Sequence, residues 1–133
     1  MSDIRKTKLF DMQKAEKYQE ILATTKSILE DNPNDIYALL YASAAYENLG
    51  NHNKAIEILK HVLSIDCMNI PAKLDLFDIL YKLKNYEEAK PLLEEILCFD
   101  CDEVKNNMAN YVLAKEQIDS YLQAKKEKEL EFN

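Results

Sequence analysis

Residues 36–69 read IYALLYASAAYENLGNHNKAIEILKHVLSIDCMN, and Gly50 in their middle is the single glycine of 133 residues. Apolar side chains recur at helical spacing on both sides of it: Leu39, Ala42, Ala45, Tyr46 and Leu49 before, Ala55, Ile58, Leu59, Val62 and Leu63 after. Glycine adopts the left-handed backbone that ends a helix, and Asn51 or Asn53 can cap the next one. The stretch therefore reads as two amphipathic helices joined at Gly50.

The unit repeats. The step that takes Ile36 to Ile70 also carries Leu49 to Leu83, Ala55 to Ala89, Leu59 to Leu93, Val62 to Ile96, Leu63 to Leu97, Asp66 to Asp100 and Cys67 to Cys101. The same step taken backwards gives a weaker copy from Ser2 to Asp35, in which Leu9, Met12, Tyr18, Ile21, Ile28, Leu29 and Pro33 hold the corresponding places. A fixed period of this length marks a stack of identical supersecondary units. Three units are expected, at about 2–35, 36–69 and 70–103, within one domain spanning 1–133.

The remaining punctuation fits that frame. Asn32-Pro33-Asn34-Asp35 stops one helix and caps the next, Asn69 caps a helix with Pro71 in its first turn, and Asn85 with Glu88 forms a capping-box pattern. The expected helices run from about Asp3 to Ala15, Tyr18 to Glu30, Ile36 to Leu49, Lys54 to Ile65, Ile70 to Lys84 and Tyr86 to Phe99. In the fifth, Leu74, Leu76, Phe77, Leu80 and Leu83 are expected inward. Pro91 lies deep enough after Tyr86 to force either a kink at Glu87 or a helix start near Glu88. From about residue 103 to 131 no Pro or Gly interrupts the chain, so one helix of about 28 residues is expected to cap the stack.

With 47% hydrophobic and 31% charged residues the chain has the balance of a globular domain. No segment approaches the ~20 apolar residues that span a bilayer. A net charge of −7 repels phosphate backbones and anionic lipid, which excludes nucleic acid and membrane as expected partners. The first ten residues lack the apolar centre of a secretory signal, so a cytoplasmic protein is expected.

Three cysteines with no such signal read as free thiols. Cys98-x-x-Cys101 has zinc or redox spacing, but two further zinc ligands are missing and a redox pair ordinarily opens a helix where this one closes one. All three are read as small buried hydrophobes. One glycine permits no phosphate loop, and His52 and His61 make no metal-binding helix motif. His52 is read as packing at its turn. Asp75 and Asp78 share one helix face and have the types needed for acid–base work, but a charged face is the simpler reading. No enzyme, metal or cofactor is expected.

Tyr46, Gly50, Ala55 and Leu59 in the second unit, with Ala89 and Leu93 in the third, resemble the tetratricopeptide repeat. Leu39 becomes Lys73, Ser43 becomes Phe77, and the terminal proline survives only as Pro33. The resemblance implies an all-α solenoid: antiparallel helix pairs in a right-handed superhelix, about seven helices in all. It also implies a protein-binding scaffold, an adaptor whose first helices line a concave groove for a partner's peptide or helix.

At the groove positions stand Phe10 with Lys6 and Gln13, then Tyr37, Leu40, Tyr41, Ala44 and Asn48, then Leu74, Asp75, Asp78 and Tyr81. The alternative for the tyrosines is packing against the next repeat. The family variant that clamps C-terminal carboxylates is matched at Lys6 alone. The small acidic chaperones of type III secretion are closer in size and charge. A different class of reading is self-association into a homo-oligomer through Ile118, Tyr121 and Leu122, an apolar stripe beyond the repeats.

Overall fold

The computed structural model describes residues 3–131. Ser2, where the first expected repeat begins, and the two ends of the expected domain lie outside them. Among the described residues the chain is entirely helical: α1 (Asp3–Lys14), α2 (Tyr18–Asp31), α3 (Ile36–Asn48), α4 (His52–Ile65), α5 (Ile70–Lys82), α6 (Tyr86–Ile96), α7 (Asp102–Asn106) and α8 (Met108–Glu131).

The turn inside each pair is the same object three times. Glu16, Gly50 and Lys84, at equivalent places in the three units, have φ of 57°, 86° and 61°. After each, an N–H reaches back across the helix end: Lys17 N to Met12 O at 2.9 Å, Asn51 N to Tyr46 O at 2.8 Å, Asn85 N to Leu80 O at 2.9 Å. This is the bond that satisfies the last free carbonyls of a helix ended by a left-handed residue. Only one of the three turns uses glycine, so Glu16 and Lys84 hold a conformation that costs a side-chain-bearing residue ~1–2 kcal/mol.

The connections between pairs also repeat. Asp35 accepts from Ala38 N at 3.1 Å, and its counterpart in the next unit, Asn69, accepts from Ala72 N at 3.0 Å. Each satisfies a free first-turn donor. Asn51 accepts from Lys54 N at 3.2 Å. Asn85 makes no such side-chain bond, so the capping box does not form. Glu87 and Glu88 supply negative charge to that first turn instead.

Three further expectations are corrected. Leu49 and Leu83, read as inward, are 43% and 44% exposed. Both immediately precede a left-handed turn, where the backbone leaves helical geometry and carries the side chain off the buried stripe. α6 starts at Tyr86 with Ala89 N bonded to Asn85 O at 3.0 Å, so a late start near Glu88 is not how Pro91 is accommodated. The single C-terminal helix is two helices. Asn107, with φ −114° and ψ 13°, breaks it, and its side-chain amide donates to Glu103 O at 2.8 Å. Asparagine competes with the helix ladder in this way because its amide reaches nearby carbonyls.

The chain forms two compact units, Met1–Leu76 and Phe77–Asn133, with the boundary inside α5. In the first, α1 packs on α2, α2 on α3 and α3 on α4. Leu9, Ile21, Ile28, Ala38 and Ala45 make its core, with Met12, Tyr18, Leu22, Leu29 and Tyr41 against it. The small residues Ala38, Ala42, Ser43 and Ala45 are buried, and small side chains permit the close approach of α2 and α4 to α3.

In the second unit α8 packs on α6 and on α7. Five rings form a continuous ladder: Tyr111 to Phe77 at 6.0 Å, Phe77 to Tyr81 at 5.6 Å, Tyr81 to Tyr86 at 5.6 Å and Tyr86 to Tyr121 at 4.9 Å between centroids. Ion pairs border it, Glu87 with Lys125 at 2.5 Å and Lys90 with Asp119 at 3.2 Å, the latter carboxylate also held by Lys115 at 2.8 Å.

Candidate functional site: a concavity on the first helices

The surface of interest in the first unit is built by α1, α3 and the start of α5. On α3, Tyr37 and Tyr41 sit four residues apart and therefore on one face. Their rings are 5.0 Å apart at 48° and their hydroxyls 3.4 Å apart. Lys6 of α1 places its ammonium 5.2 Å from the Tyr37 ring centroid, and Lys14 sits 5.3 Å from that of Phe10, both within cation–π range.

Beside the tyrosines, Gln13, Leu40, Tyr41, Ala44 and Asp75 line one concavity of about 190 Å³. Its chemistry is an aliphatic floor from Leu40 and Ala44, an aromatic wall, and polar groups on two sides. Burial, and then the Tyr37 hydroxyl, push the Tyr41 phenol up to about 12. Tyr41 is therefore neutral at physiological pH, a hydrogen-bonding handle on an apolar body.

Of the groove residues expected from sequence, Leu40, Tyr41 and Asp75 meet in this concavity and Tyr37 adjoins it. Phe10 is half exposed on α1. Leu74 is only 3% exposed; it is a core side chain and offers no surface to a ligand. In the second unit Asp78 is exposed on α5. Tyr81 donates its hydroxyl to Gln117 Oε1 and stacks in the ladder, the packing role that was its alternative. Lys14 over Phe10 was not read from sequence, although its i, i+4 spacing is the signal for such a contact.

The proposed self-association stripe is turned inward at its start. Ile118 is fully buried, Tyr121 is 46% exposed with its ring edge-on to Tyr86, and Leu122 is half-buried. The cysteines are not core residues: Cys67 and Cys98 are exposed and Cys101 half-buried, all with free thiols. They fall in the turns beyond α4 and α6, where the helical stripe has ended. His52 is half-buried at the start of α4, and His61 faces outward, with its Nε2 3.1 Å from Asn34 Oδ1. A wider hollow of about 820 Å³ opens along α1 and the start of α2, but both charge signs line it and Ile4 there is 81% exposed, so it has no consistent ligand chemistry. No helix among the described residues is long and apolar enough to cross a membrane.

The tetratricopeptide repeat family profile matches residues 49–100, from the end of α3 past α6. No curated protein sequence matches the chain. Among solved structures, the chain is similar to the Yersinia enterocolitica type III secretion chaperone SycD in complex with a peptide of the translocator YopD, with a TM-score of 0.78 at 17% identity over 91% of this chain and 96% of that one. SycD without that peptide gives 0.77 at 15% identity, covering 91% and 85%. The RS-1 MamA ArsTM double mutant gives 0.77 at 21%, covering 92% and 70%. At these identities the likeness is one of fold. The shared fold is an all-α solenoid of helix pairs, and the match to the tetratricopeptide repeat covers residues 49–100 of the chain.

Proposed function

We propose that this protein is a non-enzymatic adaptor that captures a peptide or helix of a partner on the concavity around Tyr41. The observation that carries the proposal is that Gln13, Leu40, Tyr41, Ala44 and Asp75, from three successive first helices, line one hollow of about 190 Å³. Its volume suits one or two anchoring side chains of a partner, and aromatic residues in a concave surface are the usual anchors of recognition. Three unbridged thiols suit work in the cytoplasm.

The test is capture from the native cell by the full chain and by Tyr41→Glu. A charge placed against Leu40 and Ala44 is expected to reduce recovery of specific partners at least tenfold, with helicity by circular dichroism unchanged. Recovery of the same partners in equal amount would remove the concavity from consideration.

A chaperone role is the second reading, supported by the fold shared with SycD, which was solved with a translocator peptide. A chaperone holds its client unfolded, whereas an adaptor holds a folded partner. Protease sensitivity of the captured protein separates the two. Self-association through α8 has weaker support, because Ile118 is already buried within the second unit.

A further inference from the structure

The thiols at the end of α6 are chemistry that the adaptor reading leaves unused. α2 and α4 end at Asp31 and Ile65, which are equivalent in the repeat, whereas α6 ends at Ile96, three residues short of the equivalent Phe99. Cys98 therefore lies beyond its helix, in a tight turn where Cys98 N donates to Glu95 O and Phe99 N to Ile96 O, both at 3.0 Å. Its counterpart in the preceding repeat, Ser64, is still inside α4, with its hydroxyl donating to His61 O at 2.6 Å. Cys101 stands immediately before α7 in extended backbone, φ −140° and ψ 153°, and its side chain makes no capping bond. Cys98 is exposed, Cys101 is half-buried, and both thiols are free.

The spacing and the early helix end together decide what the pair can do. Two intervening residues let the Cα atoms stand up to about 10 Å apart, and a disulfide needs them at roughly 4.4–6.8 Å. A turn centred on Phe99 and Asp100 closes that distance. Neither residue belongs to a helix, so the turn breaks no helical ladder; the bonds of the next helix begin with Lys105 N on Cys101 O at 3.0 Å. In the preceding repeat the same closure would unwind the last turn of α4, and the place of Cys98 is taken by a serine.

We propose that Cys98 and Cys101 form a dithiol site that exchanges with low-molecular-weight disulfides and closes a reversible bond between the end of α6 and the start of α7. The Cys98 thiolate, from the more exposed cysteine, attacks one sulfur of the small disulfide; the S–S bond breaks, and one small thiol leaves with the proton that Cys98 gave up. The Cys101 thiolate then attacks the Cys98 sulfur and expels the second small thiol. The protein loses two hydrogens and two electrons, and the small disulfide gains them.

The test treats the full, folded chain with hydroxyethyl disulfide, a neutral probe suited to a segment crowded by Glu94, Glu95, Asp100, Asp102 and Glu103. Mass spectrometry and peptide mapping should find the loss of two hydrogens in the peptide that holds Cys98 and Cys101. The mixed adduct should persist on Cys67, which is exposed and has no second thiol in its turn, and should be about tenfold scarcer on Cys98, because Cys101 attacks it at high effective concentration. Mercaptoethanol should restore both thiols. In Cys98→Ser, which places at this position the residue of the preceding repeat, the hydrogen loss should vanish and a lasting adduct should appear on Cys101. Lasting adducts on both Cys98 and Cys101 of the unmodified chain, a bond that joins either of them to Cys67, or closure only in urea would each overturn the proposal.

Discussion

The hydroxyls of Tyr37 and Tyr41 stand 3.4 Å apart on one turn of α3, and the partly buried Tyr41 holds its proton firmly. Its phenol is pushed up to about 12 by burial first and by the Tyr37 hydroxyl second. A raised folded value means stability that is whole below the ordinary phenol value of ~10 and lost as pH climbs towards 12. Ultraviolet titration near 295 nm, with Tyr41→Phe as reference, should show the Tyr41 step displaced towards pH 12. Tyr37→Phe should bring that step down while leaving it above the ordinary value, because burial remains.

The three left-handed turns make a graded series. Gly50 has open space around the position of a Cβ, so Gly50→Ala pays torsional strain alone and should destabilise by about 1 kcal/mol. Lys84→Gly and Glu16→Gly relieve the same strain and should raise the melting temperature or leave it unchanged, since glycine also loses more chain entropy. Thermal melts of the three variants check this. A substantial loss at Lys84→Gly would show that its side chain contributes more than its backbone angle costs.

Acid should loosen α8 from α6. The Lys125 hydrogen bond lowers the Glu87 carboxyl below the usual carboxylate range, and Lys115 and then Lys90 do the same for Asp119. A depressed folded value gives stability that is present above the unfolded carboxylate value and lost as pH falls through the folded one. Glu87 is half exposed and Asp119 only partly so, and the effect is modest and should shrink in high salt. Hydrogen exchange of α8 amides is expected to accelerate, relative to α3, below about pH 4. Asp119→Asn should show part of that acceleration at neutral pH.

Pro91 sits inside α6 on an exposed face, where it removes one ladder bond. Pro91→Ala restores the donor and should stabilise the fold by up to ~3 kcal/mol, read as a raised melting temperature. No gain would mean that packing already absorbs the break.

Most of the fold was legible because its cause is periodic. Leu9, Ile21, Ala55, Leu59, Leu93 and Ile96 are buried where the repeat register put them, and even the first turn, which lacks Gly, Asn and Pro, forms at Glu16. What failed lies at helix ends, where a side chain no longer follows the wheel: Leu49, Leu83, the three cysteines, and the break at Asn107. The site was legible in part. The resemblance to the repeat family assigned Leu40, Tyr41 and Asp75 to the groove, but not the depth of Leu74 or the engagement of Tyr81 with Gln117. Those depend on how closely the neighbouring helix approaches.

The aromatic ladder also makes the two units optically distinct. The chain has no tryptophan, and its eight tyrosines divide evenly: 18, 37, 41 and 46 in the first unit, 81, 86, 111 and 121 in the second. All four of the second unit belong to the ladder, with rings near enough for their electronic transitions to couple, whereas the first unit has the single pair of Tyr37 and Tyr41. Near-ultraviolet dichroism, which depends on fixed side-chain packing, is thus dominated by the C-terminal half. Phenol absorption near pH 12 reports on the N-terminal half through Tyr41. An unlabelled sample carries a separate gauge for each end of the chain.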